Sequence, residues 1–170
     1  MDLEIVNKND FERVINIRFD NILDGFDRYN YIELSPRDEV KNDSEEYFIK
    51  TVEAFYEVNE GNLIIDFYKK NLNDNSIELI KKHLDSDEKA YFDELINFAT
   101  DNEYFYKVNN KKYIKLFTRL CTKELYFITF YFYMNPITLW GNYNLKFPLF
   151  YDDNTNTIEY INIAKANKLY

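Results

Sequence analysis

A chain of 170 residues with 46% hydrophobic residues and a net charge of −9 has the size of one ordinary domain and enough apolar content to build a core without staples. Its single cysteine, Cys121, excludes an internal disulfide or a cysteine cluster and fits a reducing compartment. Glycine only at 25, 61 and 141 excludes the phosphate-cradling loops of the common nucleotide-binding folds.

The first helix is expected from a capping box, Asn9 with Glu12, followed by Phe11, Ile15, Phe19, Ile22 and Phe26 as one apolar stripe ended by Asp24-Gly25. A short strand over 31–34 follows, closed by Ser35-Pro36. A second helix runs from Asp43 or Ser44 to about Val58, with Phe48, Val52 and Phe55 inward. Residues 63–72 read as helix in preference to strand. Two more capping boxes, Asn75 with Glu78 and Asp85 with Glu88, open further helices.

After Asp101 the period changes from 3.6 to 2. Residues 103–108 and 112–119 are predicted to pair as a hairpin around Asn109-Asn110. Residues 125–134 are apolar on both sides, which predicts the central, doubly covered strand of a sheet. A second hairpin is expected from 137–140 and 143–146, with Pro148 at an edge or bulge. A loop at 152–156 and a last strand at 157–163 complete the chain. The expectation is a single α+β domain over 1–170. Its helices lie mainly in 1–102 and pack on a mostly antiparallel, aromatic-rich sheet from 103–170.

Few residues offer catalysis. The one histidine, His83, lies among Lys81, Lys82 and Asp85 on a polar face, and Cys121 falls in an expected turn. One Cys and one His cannot assemble a zinc site, so no metal or cofactor is expected. The loop from Asp152 to Asn156 lacks the glycine and terminal glutamate of a calcium loop. Carboxylates alone can hydrolyse, and Glu39-Val40-Lys41 and Asp87-Glu88-Lys89 match an acid-x-lysine fragment of some metal-dependent nucleases. A small carboxylate-based hydrolase is therefore an alternative.

Charge is unevenly spread. Residues 1–100 hold 24 acids and 12 bases, a net of −12, and 101–170 hold 6 acids and 9 bases, a net of +3. Glu46, Glu53, Glu57 and Glu60 fall within about 60° around the second helix, forming an acidic ridge. Such a ridge would recognise a basic protein and argues against nucleic acid. The residues 104–123 carry no acid, and alternation would place Lys111, Tyr113, Lys115, Phe117 and Arg119 on one face. That face is a possible second interface, either for oligomerisation or as a nucleic-acid platform. With no membrane-length apolar run and no signal-like start, the expectation is a cytoplasmic, non-catalytic acidic inhibitor of a basic partner such as a nuclease. Immunity proteins, antitoxins and phage anti-defence proteins are of that type, and the codon-skewed composition fits a bacterial or phage source.

Overall fold

The computed structural model describes residues 2–170 and has an α+β fold. Seven strands form one sheet: β1 (Leu3–Val6), β2 (Asn30–Leu34), β3 (Leu63–Asp66), β4 (Phe105–Val108), β5 (Thr129–Phe132), β6 (Ile137–Trp140) and β7 (Phe147–Tyr151). Their order is β1-β4-β3-β5-β6-β7-β2, and every neighbouring pair is antiparallel. The strand expected to be central is central: β5 is the fourth of seven, and all four of its residues are buried. Five helices precede residue 102: α1 (Lys8–Val14), α2 (Ile22–Arg28), α3 (Ser44–Val58), α4 (Asp74–Lys82) and α5 (Ser86–Phe98). Two follow it, α6 (Lys112–Thr122) and α7 (Thr157–Ala166).

Strand alternation divides the sheet's side chains between two faces. Ile65, Phe130, Leu139 and Leu149 lie in register across β3, β5, β6 and β7 on one face. There they meet Phe48, Val52 and Phe55 of α3, Phe92 and Leu95 of α5, and Leu116, Phe117 and Leu120 of α6 in the main core. On the other face lie Ile64, Tyr131 and Thr138. This face, which could have remained an open tyrosine-rich patch, is closed by residues 7–28. Phe11 of α1 stacks on Phe105 at 3.6 Å and meets Tyr131 edge-on at 4.9 Å. Phe19 and Phe26 lie against Phe150 at 5.0 and 5.2 Å.

The expected first helix is two short ones. Asn7 caps α1 by accepting from the Asp10 amide, and Asn21 caps α2 by accepting from Leu23 and Asp24. These local bonds, with β-branched Ile15 and Ile17 between them, interrupt the apolar stripe. Gly25 lies inside α2 and does not end it; a Cβ there would meet the Phe19 ring at 2.8 Å, so glycine allows that ring to close over the helix. Residues 63–66 form a strand because the β-branched pair Ile64-Ile65 is buried on both sides. A strand at 3–6, which no local pattern announced, pairs with β4.

The hairpin expected around Asn109-Asn110 does not form. β4 pairs instead with β1 and β3, and 112–122 is helix. Tyr113, Phe117, Leu120 and Cys121 repeat at helical spacing, and the Lys, Leu and Arg around them are good helix formers. Residues 157–166 are likewise helix, with Tyr160 and Ala164 inward four apart. The second hairpin is shifted, since β6 pairs with β7 and 143–145 is a 3-10 turn. Pro148 sits in β7, which has neighbours on both sides. Its missing amide costs no ladder bond toward β6, because that register ends at Leu139 opposite Leu149. The Asp85–Glu88 capping box forms as expected, whereas Asn73, and not Asn75, caps α4.

Candidate functional site

Three of the four ridge glutamates lie on α3, and Glu60 lies just beyond its end with φ 51. Glu46 holds Lys50 at 2.6 Å, and this hydrogen bond keeps its carboxyl below the usual range. Glu57 and Glu53 share Lys111 at 2.6 and 3.8 Å. Glu60 makes no ion pair among the described residues. The ridge therefore exists, and half of it is tied to a lysine from a distant segment.

The cations of 111–123 do not lie on a sheet face, and Lys107 alone of the 104–123 cations is on a strand, β4. Lys111 and Lys112 open α6, and Lys112 reaches Asp2 at 2.6 Å and Glu94 at 3.1 Å. Lys115 reaches Asp85 at 2.9 Å and Glu88 at 3.5 Å. Arg119 donates to Glu45 at 2.9 Å, to Asp85 at 3.3 Å and to the buried Glu88. Lys123 stands 3.9 Å from Glu45. With two cations beside it, Asp85 is held down to about 2, chiefly by its hydrogen bond from Lys115. Tyr113 and Phe117 point into the core, and the Tyr113 hydroxyl donates to Glu94 at 2.6 Å. The four residues expected to form a second interface, Tyr113, Lys115, Phe117 and Arg119, thus serve to fasten α6 to α3 and α5. An aromatic platform with free cations is not present there, which removes the basis of the nucleic-acid reading.

His83 ends α4, exposed, with Nδ1 2.9 Å from the Leu79 carbonyl. Cys121 is buried in α6 rather than in a turn. Its sulfur accepts from the Ile128 amide at 3.3 Å, and a Cβ on Gly141 would collide with it. Burial pushes its thiol up to about 12, which makes it inert as a nucleophile. Among the described residues no group of three or more His, Cys, Asp or Glu could hold a metal ion.

Sequence reasoning passed over two places. Asp66 ends β3 on the face closed by α1, 8% exposed, with Oδ1 accepting from the Thr129 amide at 2.7 Å. Burial pushes its carboxyl up to about 6. The signal was available as an acid inside the apolar run Leu63-Ile64-Ile65-Asp66-Phe67. The second is the sheet edge at β2, where Leu23, Phe26 and Tyr31 are 69%, 36% and 49% exposed. Asp27, Asp152 and Asp153 gather beside Phe26 together with one cation, Arg28, with Asp24 one turn away on α2. None of these four acids makes an ion pair among the described residues.

Comparison with protein-family models, with curated proteins and with solved structures finds no match. Among the described residues no helix is long and apolar enough to cross a membrane.

Proposed function

We propose that the chain is a non-catalytic, cytoplasmic, acidic inhibitor that sequesters a basic protein partner such as a nuclease, in the manner of immunity proteins, antitoxins or phage anti-defence proteins. The observation that carries this reading is the internal engagement of the positive charge. Five cations of 111–123 face carboxylates of the same chain. Glu60 and the rim formed by Asp24, Asp27, Asp152 and Asp153 are among the acids left without an ion pair among the described residues. That rim borders three exposed apolar side chains at the open edge of β2. An aromatic centre flanked by acid is suited to a basic protein, with the charge steering association and the rings supplying burial.

The test is capture of the partner by the wild-type chain, followed by association kinetics at several salt concentrations with two charge-reversed variants. Glu46→Lys/Glu60→Lys and Asp24→Lys/Asp27→Lys should each slow association, and the effect should shrink as salt rises. Unchanged rates and salt dependence in both variants would refute the reading. A carboxylate-based hydrolase remains a second reading on one ground, the raised Asp66 carboxyl, since buried acids of this kind mark functional sites.

A further inference from the structure

The layer that closes the second face of the sheet does not seal it. Between α1, the 15–21 loop, α2 and strands β4 and β5 lies a cleft of about 360 Å³. That volume is within the roughly 300–1,000 Å³ typical of small-molecule sites, at the low end. Its charge runs against the chain's. Lys8, Arg18 and Arg28 line it together with Glu12 and Asp20, three cations against two acids, in a protein of net charge −9. Glu12 is engaged by Lys8 at 3.6 Å. Neither arginine has a carboxylate partner among the described residues. Among the described residues the Arg18 guanidinium donates only to the Ile15 carbonyl, and the Arg28 guanidinium lies over the Tyr29 ring at 5.4 Å.

The same tyrosine meets the side chain of Arg28 and the backbone of Arg18. The Tyr29 hydroxyl lies 3.2 and 3.1 Å from the carbonyls of Asn16 and Arg18 and shares its one proton between them, which pins the 16–18 loop beside the end of α2. Two guanidinium groups thus line one cleft, that of Arg18 on the Ile15 carbonyl and that of Arg28 over the Tyr29 ring. Aromatic rings make up the rest of it, among them Phe19 from the loop, Phe105 from β4 and Tyr68 just past β3. Burial pushes the Tyr68 phenol up to about 12, so it stays protonated, and its hydroxyl makes no hydrogen bond among the described residues. Asp66 does not line the cleft, its carboxylate being turned to the Thr129 amide.

Guanidinium groups match the forked oxygens of a phosphate, and aromatic walls match a planar ring. We propose that this cleft binds a nucleoside monophosphate, with Arg18 and Arg28 on the phosphate, Tyr68 as a further donor, and the base against the aromatic wall. The site owes nothing to a glycine-rich loop, and it shares Arg28 with the acidic rim of Asp27, Asp152 and Asp153.

Isothermal titration with AMP, UMP, adenosine and inorganic phosphate tests it. Both nucleotides should bind, and adenosine and phosphate alone should each bind at least about tenfold more weakly. Arg18→Ala/Arg28→Ala should lower nucleotide affinity by about tenfold or more. Arg28→Gln, at an exposed position, gives the same reading if loss of the Arg18 anchor unfolds the loop. Absence of binding by either nucleotide at millimolar concentration overturns the proposal, as does unchanged affinity in Arg28→Gln. Phosphate or adenosine binding as tightly as the nucleotides overturns it too.

Discussion

Replacing Asp66 by asparagine isolates one buried charge. The carboxyl sits at about 6 in the folded chain against an ordinary 3.8, because burial penalises its charged form. The folded state therefore binds a proton that the unfolded state has already lost between those two values, and stability falls as pH rises through that window. A difference of roughly two pH units corresponds to about 3 kcal/mol, present in full below the unfolded value and gone above about pH 6. Asparagine resembles the protonated acid in shape, and its oxygen can keep the Thr129 amide bond of 2.7 Å. Asp66→Asn should then be more stable than wild type by as much as about 3 kcal/mol at neutral pH, or roughly 6–12 °C in Tm, and equal to it near pH 4. Asp85 acts in the opposite sense, since it is held down to about 2 and its contribution is lost as pH falls below 3.8. It is common to both proteins and cancels in their difference. Denaturant melts of the two across about pH 4 to 8 decide the matter. Parallel stability curves would mean that the Asp66 carboxyl is solvated and not buried in the energetic sense.

Phe130, on the middle strand and fully buried, should lose about 3–5 kcal/mol on truncation to alanine. Tyr113→Ala should now cost a similar amount, because Tyr113 is 2% exposed, stacks on Phe117 and donates to Glu94; a loss below about 1 kcal/mol in urea melts would place that ring at the surface. Arg119→Ala should cost up to about 3 kcal/mol, since the buried Glu88, 2% exposed, is left with only Lys115 at 3.5 Å as counter-charge, and Arg119→Met/Glu88→Leu should recover part of it despite losing the capping box. A double variant no more stable than the single one would show that packing, not the stranded charge, sets the cost.

What the sequence revealed depended on whether a signal was local. The α3 helix, the α5 capping box and the β5 strand each rest on residues within one segment; the first two formed where expected, and β5 is central as expected but covers only Thr129–Phe132 of the expected 125–134. The segment 111–122 failed because two periods fit it. Lys111, Tyr113, Lys115, Phe117 and Arg119 alternate, yet Lys111, Lys115 and Arg119 also recur every four residues, as do Tyr113 and Phe117. Its packing against α3 and α5, together with its helix-forming residues, decides for helix. The four-residue strands β1 and β3 are held by partners about a hundred and about forty to seventy residues away, which no local pattern encodes. The cleft is less legible still, since Arg18, Arg28, Tyr68 and Phe105 come from four separate segments.

The acidic ridge shows how far a charge pattern can be read. Its spacing correctly placed Glu46, Glu53 and Glu57 on α3, but its counter-charge comes from Lys111, fifty-odd residues further on. Much of the imbalance between the negative first hundred residues and the positive remainder is thus spent inside the fold, where α3 and α5 meet α6. Charge reversal has a different meaning at each glutamate as a result. At Glu57 a lysine would stand against Lys111 and disturb the seating of α6, so slower association there would not distinguish a lost partner contact from a loosened helix. Glu60 has no internal ion-pair partner among the described residues, and Glu46 holds only Lys50 one turn along, a pair that is 55% and 66% exposed and of small energetic consequence. A change in association on reversing these two, with an unchanged melt, belongs to the surface alone. The structure therefore reduces the four residues of the ridge to two on which a binding role can be tested separately from folding.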